Sequence, residues 1–205
     1  MHHLQFKIQL LGITKPPVWR RLVAPASATF SDFAHAIMSA FGWDGWHLYM
    51  FCDKTHRQIN IMPRDPDGTL DTWGPAEVFD AAAMTIGDYY GQYGGQLYFL
   101  YDFGDGWEHK LTLEAVSDEP GERIRCTAAK GACPPEDCGG PWAYERLKYI
   151  LAHPEEDPEE VQWRCEWLGI ERPEEFDPTD ITGHVEAAPK KSRTRRKKTE
   201  ADAED

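Results

Sequence analysis

No stretch of the chain approaches the eighteen or so consecutive apolar residues that a membrane-spanning helix requires, so no membrane association is expected. The first ten residues, MHHLQFKIQL, lack the basic, then apolar, then small order of an export signal and instead alternate like a strand. Both absences predict a cytoplasmic protein. Cysteine is sparse: the five residues Cys52, Cys126, Cys133, Cys138 and Cys165 are odd in number and unevenly spaced, which argues for reduced thiols and against a disulfide framework. Also missing are the patterns G-x-x-x-x-G-K-[ST], G-x-S-x-G and H-E-x-x-H, so no phosphate loop, nucleophile elbow or zinc-protease helix is written into the chain.

What the chain does have is aromatic residues and charge. Eight Trp, nine Phe and eight Tyr within 41% hydrophobic residues are enough to fill the core of one domain in a chain of 205 residues. The formal charge of −13 is unevenly placed. From Ala187 onward seven Lys/Arg stand against four Asp/Glu, net +3, which leaves −16 on residues 1–186. Such an acidic body repels nucleic-acid phosphate, so any contact with DNA or RNA would run through the tail, by Lys190, Lys191, Arg193, Arg195, Arg196, Lys197 and Lys198. The tail's lack of aromatics and of helical period equally suits a solubilising, disordered terminus. The expected organisation is one α+β domain over residues 1–186 and a disordered basic tail over 187–205.

Residues 4–11 alternate and 18–24 resume the pattern after ITKPP, which predicts a hairpin. Thr29 followed by Asp32 reads as a capping box, and Phe30, Phe33, Ile37 and Phe41 recur on one helical face that Gly42 ends. A third strand is expected at 46–51. Residues 53–80, rich in Asp, Pro and Gly, show no period and read as a loop or short hairpin. A short helix near 85–90, a hairpin at 97–114 and a strand at 122–127 follow. Two helices are expected after Cys133, from about Trp142 to Ala152 and from Pro158, capped by Asp157, to Trp167 before Gly169. Residues 155–180 carry eleven acids and two Arg and read as a solvated acidic face. This order predicts an antiparallel sheet of hairpins with one early helix packed on it and a helical C-terminal part.

Two constellations carry candidate chemistry. With Asp105-Gly106 as a two-residue turn, Asp102 would lie opposite His109 on one face of the hairpin. That pair would either brace the sheet end or act as a general base or metal ligand. The loop PPEDCGG, 134–140, presents Glu136 and Asp137 between two stiffening prolines and two glycines, as a binding loop or as a structural loop capping the next helix. Together Asp102, Asp105, His109, Glu136 and Asp137 form the candidate polar site, and no catalytic residue is assigned. No cofactor is expected, although a divalent metal held by two or more carboxylates and a histidine is one reading of this set. Cys126, Cys133 and Cys138, with gaps wider than zinc sites favour, are weaker zinc candidates. Arg20 and Arg21 after Trp19 are candidates for anion binding, and on a strand they point to opposite faces. His47, at a strand start, reads as a packed histidine.

Four motifs in order, PPVWRRLVAP (16–25), FGWDGWHLYMF (41–51), YDFGDGWEHKLTLE (101–114) and GACPPEDCGGPWAYERL (131–147), resemble the plasmid pRiA4b ORF-three-like family, which includes passenger proteins of bacterial insertion sequences. The resemblance spans roughly residues 4–182. It implies an α+β fold and a plasmid or mobile-element setting, and brings no established activity. Some members carry a resolvase-like label. The five serines here (Ser27, Ser31, Ser39, Ser117 and Ser192) lack the arginine-rich setting of a recombinase nucleophile. The reading that follows is a non-catalytic binding or accessory module with an unknown protein partner. The alternatives are a metal-dependent hydrolase and a nucleic-acid-associated protein acting through the tail.

Overall fold

The computed structural model describes residues 2–53, 58–65, 67–70, 75–118 and 121–179. The expected basic tail, 187–205, and its candidate nucleic-acid contacts lie outside the described residues. Among the described residues the chain forms one eight-stranded sheet and four helices, an α+β fold.

Strands β1 (His3–Thr14) and β2 (Pro17–Pro25) form the expected hairpin. Period two puts Leu4, Phe6, Ile8 and Leu10 of β1, and Val18, Arg20 and Leu22 of β2, on the buried face. Helix α1 (Phe30–Phe41) begins where the sequence predicts. The Thr29 hydroxyl accepts from the Asp32 amide, Asp32 reaches back to Thr29, and Gly42 ends the helix in the left-handed conformation that it adopts without a Cβ penalty. Phe30, Phe33, Ile37 and Phe41 are all fully buried. Phe30 and Phe33 meet Phe51 of β3 (Tyr49–Asp53), with centroids 4.9 and 6.1 Å away.

The segment expected to be a loop or short hairpin supplies instead β4 (Ile59–Met62) and β5 (Glu77–Asp80), paired in parallel at one edge of the sheet. The expectation failed because a parallel pair has no tight turn to announce it, and because strands of four residues are too short to show a period. Helix α2 (Ile86–Gln92) packs beside the start of α1, where Thr29 bridges Thr85. The hairpin of β6 (Leu97–Tyr101) and β7 (Trp107–Ser117) follows, then β8 (Arg125–Lys130) at the opposite edge. The strand order is β5-β4-β3-β6-β7-β1-β2-β8, and every pairing except β4 with β5 is antiparallel. Helices α3 (Gly140–Ala152) and α4 (Pro158–Leu168) form the helical C-terminal part, α3 lying against β1.

The β6–β7 register corrects a sequence expectation. His109 faces Phe99, not Asp102, because five residues, Asp102–Gly106, separate the last paired residues Tyr101 and Trp107. The Gly106 amide closes this longer turn on the Asp102 carbonyl at 2.7 Å. A slip by an odd number of positions exchanges the faces of a strand. Leu97, Phe99 and Tyr101 therefore join Leu111, His109 and Trp107 on the buried face, while Tyr98 and Leu100 turn to the other.

His109 is consequently a core residue. Its ring sits 4.8 Å from Phe41, 5.3 Å from Trp43 and 5.4 Å from Phe99, and Nδ1 lies 3.1 Å from the Phe99 carbonyl. Burial lowers its pKa to about 3.

Two measurements check this account of the core. Thr29→Ala should cost about 1 kcal/mol through the lost cap, read as a fall in Tm of about 2–4 °C. A neutral histidine in the folded state, against one that protonates near 6.5 when unfolded, makes stability fall as pH drops below that value. Thermal melts between pH 7 and 4 should show this loss, and His109→Phe, which keeps a ring among Phe41, Trp43 and Phe99, should flatten it. An identical pH dependence in the variant would place the acid sensitivity elsewhere.

Candidate functional site

Three loops meet at the end of the sheet where the β6–β7 turn lies. The first, 42–48, leaves the C-terminus of α1. The second is the turn Asp102–Gly106. The third, 132–139, carries the PPED sequence into α3. Each is tied to another by specific bonds. The Trp43 indole donates to the Pro134 carbonyl at 3.0 Å, the Asp102 amide to the Leu48 carbonyl at 3.0 Å, and the Gly139 amide to Asp105 Oδ2 at 2.9 Å. The Tyr101 hydroxyl donates to Glu136. Gly140 has a φ of 80° and lies so close to the turn that a Cβ there would overlap the Asp105 carbonyl oxygen, so no other residue fits without displacing backbone.

The structure thus brings together Asp102, Asp105, Glu136 and Asp137, four of the five residues in the predicted polar site. The fifth, His109, lies beneath them in the core, walled off by Trp43, whose ring stacks 5.0 Å from Tyr101 and 5.4 Å from Phe41. The histidine at the site is His47. Its Nε2 lies 3.0 Å from Asp137 Oδ1 and its Nδ1 3.8 Å from Asp102 Oδ1. Sequence reasoning treated His47 as packing. The motif FGWDGWHLYMF held it in view, but nothing local showed that the 42–48 loop reaches the turn after β6.

Two aspartates at the site share an uncommon backbone. Among the described residues, Asp102 (φ 52°) and Asp137 (φ 55°) are the only non-glycine residues with positive φ. Asp tolerates this conformation better than most residues because its short side chain bonds nearby amides. Asp102 does so, accepting from the amides of Gly104 at 2.9 Å and Asp105 at 3.3 Å, and it is only 7% exposed. The Asp137 carbonyl accepts from the Trp167 indole of α4.

Electrostatically the site is negative. Burial, with Asp44 and Asp137 adding to it, raises the Glu136 carboxyl pKa above its ordinary value, although the Tyr101 hydroxyl and His47 oppose the shift. The Tyr101 hydroxyl is also pushed up, first by burial and then by Glu136. No Lys or Arg forms an ion pair with Asp102, Asp105, Glu136 or Asp137 among the described residues.

The remaining candidates lie elsewhere. Arg20 is fully buried and its guanidinium is committed to main-chain carbonyls of Ala40, Trp19, Lys130 and Gly131. Arg21, on the outward face, forms a two-pronged pair with Glu114 and lies over Trp19. Neither guanidinium is directed at the polar site. Cys126, Cys133 and Cys138 do not gather as a ligand set; among the described residues only His47, Asp102 and Asp137 bring three ligating atoms within 4.8 Å of one another. Burial pushes the Cys138 thiol up to about 12, and it raises Cys126, Cys165 and, further still, Cys133.

Comparison with known proteins agrees with the four sequence motifs. The family model described as plasmid pRiA4b ORF-3-like protein matches residues 2–184. The uncharacterized protein y4hQ of Sinorhizobium fredii is 35% identical over 157 residues, 75% of this chain and 76% of that protein. The crystal structure of MM3350 from Methanosarcina mazei, a protein of unknown function, superimposes with a TM-score of 0.70 at 29% identity, covering 90% of this chain and 97% of that one. Family model and relative together show that the chain belongs to the plasmid pRiA4b ORF-3-like family.

Proposed function

We propose that this chain is a binding or accessory module, serving a plasmid or mobile element, that engages a protein partner through the end of the sheet where the three loops meet. One observation carries the reading: large apolar side chains stand exposed around the polar cluster. Trp46 (81% exposed) and Leu48 flank His47, and Phe103 follows Asp102. Trp142 (78% exposed) lies two residues beyond the glycine that abuts the turn, and Trp167 reaches the Asp137 carbonyl. Trp163, four residues before Trp167, shares its face of α4 and is also exposed. A protein fold leaves single apolar side chains in water freely, but several tryptophans around one polar centre are the composition of an interface hot spot. The loops beneath them are held by the Trp43 and Gly140 contacts, so such a face would lose little conformational freedom on binding.

The test is affinity capture from the native cells with quantitative mass spectrometry, using wild type and the triple variant Trp46→Ala, Phe103→Ala, Trp142→Ala. These side chains are exposed, so the variant should melt as wild type does. The expected outcome is a protein recovered by wild type and depleted at least about tenfold in the variant, a loss of roughly 1.4 kcal/mol or more. Equal recovery by both would overturn the reading.

A second reading, metal-dependent hydrolysis, is favoured by one observation. The Glu136 carboxyl, with its raised pKa, stands beside Asp137 and His47, as a group that exchanges a proton would. Phosphoester turnover that requires added metal and is lost in Glu136→Gln would select it over the first. Contact with nucleic acid through Lys190–Lys198 remains a separate proposal, tested by whether deletion of 187–205 abolishes salt-dependent DNA binding.

A further inference from the structure

The polar cluster has a geometry that hydrogen bonding does not account for. His47 Nε2 is buried and makes no hydrogen bond, although Asp137 Oδ1 is only 3.0 Å away. Nδ1 of the same ring is 3.8 Å from Asp102 Oδ1, beyond hydrogen-bond reach. An imidazolium clamped between two carboxylates would point an N–H at each of them, and this ring points one at neither. A second buried atom in the same cluster, Glu136 Oε2, also lacks a hydrogen-bond partner. Two such atoms in one cluster of carboxylates and imidazole would be satisfied together by one bound species. The carboxylates of Asp44, Asp102, Glu136 and Asp137 around it favour a cation over an anion.

We propose that His47, Asp102 and Asp137 are the protein ligands of one divalent first-row metal ion, of which Zn²⁺ is the representative. Ligand atoms about 2.0–2.2 Å from a common ion, at tetrahedral to octahedral angles, stand roughly 2.8–3.6 Å apart. The separation of 3.0 Å between Nε2 and Oδ1 falls in this interval, and all three ligating atoms already lie within 4.8 Å, a gap that a small side-chain rotation closes. The ligands come from three different loops, so the ion would pin together the same three segments that Trp43, Gly139 and Gly140 join. Imidazole selects first-row metals over Mg²⁺ and Ca²⁺, while the carboxylates set it apart from a thiolate zinc site. Asp102 is the preorganised ligand: one oxygen is already held by the Gly104 and Asp105 amides. With three protein ligands the ion keeps coordination positions open, and Glu136 stands beside them. This site stands whether or not a protein partner docks on the surrounding tryptophans.

The experiment uses the full chain, stripped with a chelator and titrated with Zn²⁺ in a calorimeter, beside His47→Gln, Asp137→Asn and Asp102→Asn. Wild type should take up one Zn²⁺ per chain, and millimolar Mg²⁺ should not displace it. Each variant should bind roughly 100-fold more weakly or worse, since even groups that merely orient ligands are worth 10–100-fold. Asp137 is largely exposed, and Asp102→Asn keeps an oxygen for the two amides, so the metal-free variants should melt as wild type does. Should Asp102→Asn fail to fold, His47→Gln and Asp137→Asn decide alone. Co²⁺ substitution should give d–d bands without thiolate charge transfer. The proposal is overturned by a wild type that binds no Zn²⁺, by unchanged binding in His47→Gln and Asp137→Asn, or by binding lost only in Cys133→Ser.

Discussion

A single buried cation holds the architecture around the loops. The Arg20 guanidinium has no carboxylate partner among the described residues; its Nε donates to the Ala40 carbonyl at 2.7 Å, and its Nη1 to the carbonyls of Trp19, Lys130 and Gly131. Removing a charge from water without an opposite charge is costly, and burial accordingly lowers the Arg20 pKa. The compensation is collective. Ala40 lies in the last turn of α1, at the negative end of the helix dipole, and the Phe41 ring lies under the guanidinium at 4.9 Å. Lysine could not substitute, because one ammonium lacks the planar fork that reaches a helix end and a strand end together. The two anchored points are the roots of two of the three site loops: 42–48 departs from α1, and 132–139 departs from β8 just beyond Gly131.

Above that anchor, Trp43 forms the floor of the site. Its ring contacts Phe41, Tyr101, Trp107 and His109, and its indole N–H holds Pro134. The floor touches all three loops or their roots, so the positions of Asp102, Glu136 and Asp137 follow from core packing rather than from loop chemistry alone. Functional groups placed this way are held by side chains that are themselves fixed. The same packing separates the two histidines: His109 lies against Trp43, Phe41 and Phe99 in the core, whereas His47 contacts Tyr101 and the carboxylates of Asp102 and Asp137.

Much of the fold was readable because its signals are local. The Thr29–Asp32 box, the Gly42 and Gly169 terminators, the Asp157 cap and the alternation of β1 depend on residues within a few positions of one another. The failures have one common cause, which is information carried between distant segments. Whether Asp105-Gly106 makes a two-residue turn or sits in a five-residue one depends on the aromatic face that Phe99 and Tyr101 must present to Phe51 and Trp43. Pairing of β4 with β5 depends on a crossover. The candidate site was legible in part: four acids from two motifs were expected to act together and do lie together. His47 was missed because its partners come from residues 55 and 90 positions away, and no spacing rule reaches that far.

The buried thiols give the molecule a built-in clock. Only the thiolate attacks an alkylating reagent, and burial raises the pKa of Cys126, Cys133, Cys138 and Cys165 while it also closes access to three of them. Modification at neutral pH therefore waits on local opening and runs at a rate set by how often each segment detaches. Cys138 times the loop that carries Glu136 and Asp137, Cys165 times α4, and Cys52 times the middle of the sheet. Ranked by labelling rate, the cysteines report in turn on the C-terminal helix, the loop and the sheet, with no probe added to the chain.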